Sequence, residues 1–315
     1  LTHEDGTLSH ITGGWAYPLL AELGIPRSLC CEISDPGTKA GALLPAIREE
    51  LSLPDIDVVN IASHDTASAI AAVPARGGNF LYISSGTWSI MGLESQKSVI
   101  SDVTFKYNMS NEGGYGRTAR FLKNIMGLWL IQESRRQWLR EGQNVSYADL
   151  EREALASAPF ACFVDVDDAR LMPPGDMPAR IRAICRETGQ HVPQTRGEVM
   201  RCVYESLAIK YAVTIDMFRE AAGLDFDTLH VVGGGTKDGL LSQFTANATG
   251  MALTAGPIEA TALGNVAVQL ISCGELSGLS DARALIADSF ELLSYAPKET
   301  EAWRDAVGRY RRICG

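Results

Sequence analysis

The tripeptide His64-Asp65-Thr66 is the first place where residue types and spacing suggest chemistry. The stretch 57–63 (DVVNIAS) reads as a short buried strand, and 66–73 reads as a helix rich in small residues. Ligands of α/β folds collect at the carboxyl ends of strands. An aspartate there can accept a proton from a hydroxyl. An Asp or Ser ahead of a helix also serves as a plain N-cap. A His, an Asp and a Thr at one strand end exceed what a cap requires, which favours chemistry.

Ser84-Ser85-Gly86-Thr87 is the second candidate. Its glycine and hydroxyls can aim N–H and O–H donors at phosphate oxygens, or they form an ordinary hairpin turn. The third is Gly233-Gly234-Gly235, between a strand and a helix. Successive glycines let a ligand approach the backbone and leave the helix N-terminus open to an anion. A tight strand-to-helix turn needs only one or two of them. The pattern is neither GxGxxG nor a P-loop, because the chain has no Gly-Lys pair.

The fourth is a helix expected from about Ile125 to Arg140. On it Gln132 shares a face with Ile125, Leu128 and Trp129, and a buried amide needs partners. Asn124 is either an N-cap or a ligand contact. The neighbouring Cys30 and Cys31 carry no assigned role, since paired free thiols usually only pack.

Strands alternating with helices must position these residues, which predicts an α/β class. Residues 14–53 read as short helices and loops, and 74–79 (PARGGN) as a linker. Phe80 to Leu93 reads as two strands about the Ser-Gly-Thr turn, and 111–116 (NEGGYG) as a glycine-rich loop. Residues 167–178 form another loop. A long helix covers about Glu198 to Ala222, with Gly223 as its stop. A strand follows at 228–232, then helices at 238–249, 258–272 and 301–313, with a further short strand at 251–255.

The 315 residues suggest about two domains. Hydrophobic residues at 46% and charged residues at 21% fit a globular protein. A net charge of -10 argues against nucleic acid or an anionic membrane as partner. No apolar run approaches the roughly 18 residues of a membrane span. Leu1 to Asp5 are too polar for a signal peptide. The chain begins with Leu rather than Met, so an upstream segment is expected. Seven cysteines (30, 31, 162, 185, 202, 273 and 314) lie scattered without CxxC or zinc spacing. This predicts reduced thiols in a cytoplasmic protein and no metal ligands.

Several stretches together resemble the FGGY carbohydrate kinases, and within them the members that phosphorylate L-rhamnulose. They are ASHDTASA (62–69), SSGTWSIMG (84–92), NEGG with LKNIMGLWLIQ (111–132), VVGGGTKDGLL (231–241) and AGPIEATALGN (255–265). The likeness runs from about Gly14 to the C-terminus, with the motifs in family order. It implies an actin-like, ribonuclease H-like ATPase fold. Residues 1–77 would be the end of the N-terminal domain and 78–315 the C-terminal domain. Asp65 would be the proton acceptor, with His64, Thr66 and Asn124 at the sugar. Thr87, Gln132 and Gly234 would contact ATP. The implied reaction moves the γ-phosphoryl group of ATP, with Mg²⁺, to the 1-hydroxyl of L-rhamnulose.

The family's opening Asp-x-Gly-type phosphate loop has no counterpart before Asp65. The resemblance therefore implies that most of the first domain lies outside these residues, and that the chain alone exposes apolar surface and self-associates. Other readings are a related kinase acting on L-fuculose, a truncated chain that binds nucleotide without turnover, and a non-kinase ATPase of the actin class.

Overall fold

The computed structural model describes residues 14–314, so the reading of Leu1–Asp5 lies outside the described residues. Turn chemistry and short apolar runs shape the first part of the chain. Pro18 sits in the first turn of α1 (Tyr17–Glu22) and Pro45 in that of α2 (Pro45–Glu50), where a missing N–H costs nothing. Between them runs β1 (Lys39–Ala42), which pairs antiparallel with β2 (Asp57–Val59). The expected buried strand at 57–63 is thus a three-residue exposed piece. A two-stranded ribbon with no covering layer leaves its side chains open. Residues 14–61 contain no buried side chain. Helix α3 (Asp65–Ala71) is the first buried element, as its Ala- and Ser-rich sequence predicts.

Strands β3 (Phe80–Ser85) and β4 (Trp88–Ser95) flank the Ser-Gly-Thr turn as expected. Helix α4 (Asp102–Lys106) opens with a Ser101–Thr104 capping box. The 111–116 region is only partly a loop: β5 (Ser110–Gly113) pairs antiparallel with β6 (Ala119–Met126). Asn124 therefore lies inside a strand, and its N-cap alternative falls. Helix α5 (Trp129–Arg140) starts four residues later than expected. The cause is Gly127, where an added Cβ would stand 2.7 Å from Ser89 Oγ and from the Trp88 carbonyl carbon. The strand must finish before the chain can clear that contact and turn.

Four helices are not expected from the sequence: α4, α6 (Tyr147–Ala156), α7 (Met177–Glu187) and α11 (Leu279–Ser289). Helix α8 (Arg196–Ala222) matches the long apolar stripe, and Gly223 ends it with φ 65°. Then come β7 (Thr228–Val232), α9 (Gly239–Thr249), β8 (Leu253–Ala255), α10 (Ala260–Ser272), α11 (Leu279–Ser289), β9 (Leu293–Tyr295) and α12 (Thr300–Cys314). Among the described residues no helix is long and apolar enough to cross a membrane.

The described chain divides into two units. The first holds the described residues up to Arg76, with Gly92–Leu122 and Glu259–Phe290. Its core is α3 against α10. The helices touch so closely that a Cβ on Gly264 would lie 1.7 Å from the Ser68 carbonyl oxygen. Arg283 on α11 donates to the Ile70 carbonyl at 2.9 Å and pairs with Glu94, fixing the far end of α3.

The second unit holds Gly77–Met91, Lys123–Ile258 and the residues from Glu291 onward. Strands β3, β7 and β8 run parallel, with β9 antiparallel at their edge. Ser84 lies opposite Val232 in that register. The turns at 85–87 and 233–235 therefore leave the same ends of adjacent parallel strands. Helix α8 is buried along most of its length and packs against α6 and α9.

Candidate active site

In the first unit, the backbone turns sharply before α3. Ser63 has φ 66°, a conformation that non-glycine residues rarely adopt. His64 occupies the N-cap in extended conformation, but no side chain caps the helix. Asp65 is the first helical residue, so the simple cap reading of its carboxylate does not hold. Its side chain is 77% exposed. Its Oδ1 accepts the Thr66 N–H at 2.6 Å and the Thr66 hydroxyl at 3.3 Å, and His64 Nδ1 lies 3.3 Å away. Thr66 itself is buried and serves to aim the carboxylate. The Asp65 carbonyl accepts from Thr261 on α10 at 3.3 Å. The result is an oriented, solvent-facing carboxylate on a firmly packed helix. Ser63 was not singled out by sequence, since nothing in its neighbours signals a positive φ.

In the second unit, the 84–88 turn docks on the start of α5. The Thr87 carbonyl accepts from Gly127 and Trp129, and the Gly86 carbonyl from Leu128. Thr87 Oγ1 donates to Gln132 Oε1 at 3.3 Å. Two residues chosen from separate motifs are thus brought together. Ile125 is on β6, so Gln132 keeps only Leu128 and Trp129 from its expected face.

Gln132 and Gly234 line one cavity of about 250 Å³ with Leu128, Ile131, Tyr147, Glu151, Gly235, Lys237 and Asp238. The three glycines differ in kind. A Cβ on Gly233 or Gly235 would crowd Ser85, at 3.1 Å and 2.0 Å respectively. A Cβ on Gly234 would meet nothing within 4 Å. Packing explains the outer two, and the middle one faces open cavity. Asn124 is exposed on β6 and is not among the lining residues.

Two carboxylates face this space that sequence alone did not flag. Asp238 caps α9 through the Leu241 N–H at 2.9 Å and accepts the Tyr204 hydroxyl at 2.9 Å. Burial pushes its pKa up, against the pull of those bonds. Glu151 is also raised, by burial and then by the charge of Asp238. The Asp-Gly-Leu-Leu start of a helix after the glycines could have revealed Asp238 as a cap. Glu151 carries no local signal. Such paired carboxyls suit neutral hydroxyl or amine donors better than phosphate. Hydroxyl and N–H donors of Thr87 and the glycine turn suit phosphate.

Among the described residues no three-donor carboxylate cluster offers a hard cation its oxygen ligands. The residues present do not by themselves make a Mg²⁺ site.

The model of the FGGY family of carbohydrate kinases, C-terminal domain, matches residues 81–273. The chain belongs to the FGGY family of carbohydrate kinases. A rhamnulokinase of Bacteroides thetaiotaomicron is 43% identical over 293 residues, 93% of this chain and 60% of that protein. A rhamnulokinase of Enterococcus faecalis is 44% identical, over 89% of this chain and 56% of its own length. The chain thus spans about three fifths of these FGGY relatives. Glycerol kinase of Plasmodium falciparum with ADP superposes with a TM-score of 0.72 at 13% identity, covering 99% of this chain and 61% of that one. A ligand-bound xylulose kinase from Lactobacillus acidophilus gives 0.71 at 15% identity, covering 98% and 62%. At these identities the likeness is one of fold, and it agrees with the expected actin-like α/β class.

Proposed function

We propose that the protein carrying this chain transfers the γ-phosphoryl group of ATP to the 1-hydroxyl of L-rhamnulose, in the cytoplasm. The observation that carries this reading is Gly234. Its α-carbon faces a cavity that no packing contact closes, beside Gln132 and its partner Thr87. Relatives named rhamnulokinase at 43% and 44% identity favour the sugar.

Phosphoryl transfer needs mainly positioning and charge stabilisation. Asp65 would orient the sugar hydroxyl and take its proton as the phosphoryl group moves, with His64, Thr66 and Asn124 at the sugar. Thr66 and His64 hold the accepting carboxylate in one orientation. Thr87 and Gln132 would meet the nucleotide through hydroxyl and amide. Gly234 would admit the nucleoside, whose hydroxyls Glu151 and Asp238 could accept. Residues 1–77 would belong to the N-terminal domain and 78–315 to the C-terminal one.

A coupled ADP-release assay on the complete protein tests this, with L-rhamnulose and L-fuculose as acceptors. Release with L-rhamnulose supports the reading; release with L-fuculose alone moves it to that sugar. Release with neither rejects a kinase of these ketoses. Because the chain spans three fifths of its relatives, nucleotide binding without turnover is the second reading for these residues alone.

A further inference from the structure

Three cysteines distant in sequence meet in the second unit. Cys162 follows α6, Cys185 lies on α7 and Cys202 on α8. Cys185 is fully buried, and Cys162 and Cys202 are each 2% exposed. The three sulfurs all lie within 4.8 Å of one another, and none is in a disulfide. The cysteines look scattered along the chain only because the residues between them fold into separate helices.

A single buried cysteine behaves as a small apolar residue. Three converging sulfurs offer something more specific, since thiolates select soft cations. A zinc–sulfur bond of about 2.3 Å around a tetrahedral ion places sulfurs about 3.8 Å apart. Closure from the observed spacing needs a shift on the order of 1 Å.

We infer that Cys162, Cys185 and Cys202 form a structural site for one soft divalent cation of the Zn²⁺ class. Three thiols bind the ion as thiolates and release their protons to solvent. A divalent ion leaves one net negative charge in the interior, whereas a monovalent ion would leave two, and buried charge is costly. The ion would join α7, α8 and the segment after α6. The inference is independent of the proposed kinase activity.

The site is closed to solvent, so the ion enters during folding or local opening. The full chain is refolded from denaturant with reductant and Zn²⁺, desalted, and assayed for metal by mass spectrometry. One zinc per chain is expected, with a melting midpoint raised by about 2 °C or more over the metal-free protein. Cys185→Ser is expected to lose both. A variant with C30S, C31S, C273S and C314S together is expected to keep both. Refolding with Co²⁺ gives a second readout, a thiolate-to-metal charge-transfer band in the intact trio. Wild-type protein without zinc and without that band would overturn the inference. So would zinc retained by Cys185→Ser.

Discussion

Thr87 Oγ1 donates to Gln132 Oε1 at 3.3 Å, across a turn and a helix that are 45 residues apart in sequence. The contact is exposed, so its own contribution to stability is small. If both side chains also meet the nucleotide, their effects must be coupled. Thr87→Val and Gln132→Leu should each weaken ADP binding by roughly 2- to 10-fold, the range of one hydrogen bond. The double variant should lose less than the product of the two. Calorimetric titration of all four proteins gives the cycle, and strict multiplicativity would separate the residues.

Asp65→Asn in the complete enzyme should lower kcat by about 10²-fold or more, the usual contribution of a positioned base. ADP affinity should stay as in wild type. Near-normal turnover would remove Asp65 from the chemistry.

The glycine turn supplies a paired contrast. Gly234→Val places a side chain where nothing stands within 4 Å. It should block nucleotide binding by at least about 10-fold and leave the melting midpoint almost unchanged. Gly235→Ala drives a methyl into Ser85. It should lower the midpoint by several degrees, since overpacking costs on the order of 1–3 kcal/mol. Equal effects from both would mean that Gly234 is only a turn residue.

Glu205 is fully buried on α8, paired with Arg201 and accepting the Phe160 N–H at 2.8 Å. Burial outweighs these partners and raises its pKa from 4.5 to about 7. In this window the unfolded chain ionises before the folded one does. Stability present below pH 4.5 is therefore lost as pH rises to about 7, by on the order of 3 kcal/mol. Glu205→Gln, which stays neutral, should gain stability relative to wild type between pH 5 and 8. Thermal melts across that range check the sign, and a constant difference would refute it.

Exposed apolar side chains at Trp15, Leu19, Leu23, Leu29, Leu44, Leu51 and Val58 crowd a segment without one buried residue. The 315-residue chain is expected to associate with rising concentration. Light scattering that returns a monomer at all concentrations would contradict this.

Much of this architecture could be read from sequence where the signal was local. The apolar stripe of α8 and its Gly223 stop marked a helix to within two residues. The β3–β4 hairpin and the β7–glycine–α9 unit were equally plain. What escaped depended on distant partners. Asn124 looks like a helix start because its place in β6 and the Gly127 contact are invisible in a window of ten residues. The strand at 57–63 shrank because strand length depends on what covers it. Of the site, the motif residues were legible. Glu151 and Ser63 were not, since burial and φ are properties of the assembled chain.

The approach of α10 to α3 has a consequence for how this protein tolerates change. Position 264 has no room for even one methyl group, because the Ser68 carbonyl already occupies it. Any replacement must push α3 sideways, and Asp65 begins that helix. A saturation survey of the complete enzyme should find Gly264 as irreplaceable as Asp65. A stability measurement would separate the two, because only replacements at Gly264 should lower the melting midpoint strongly.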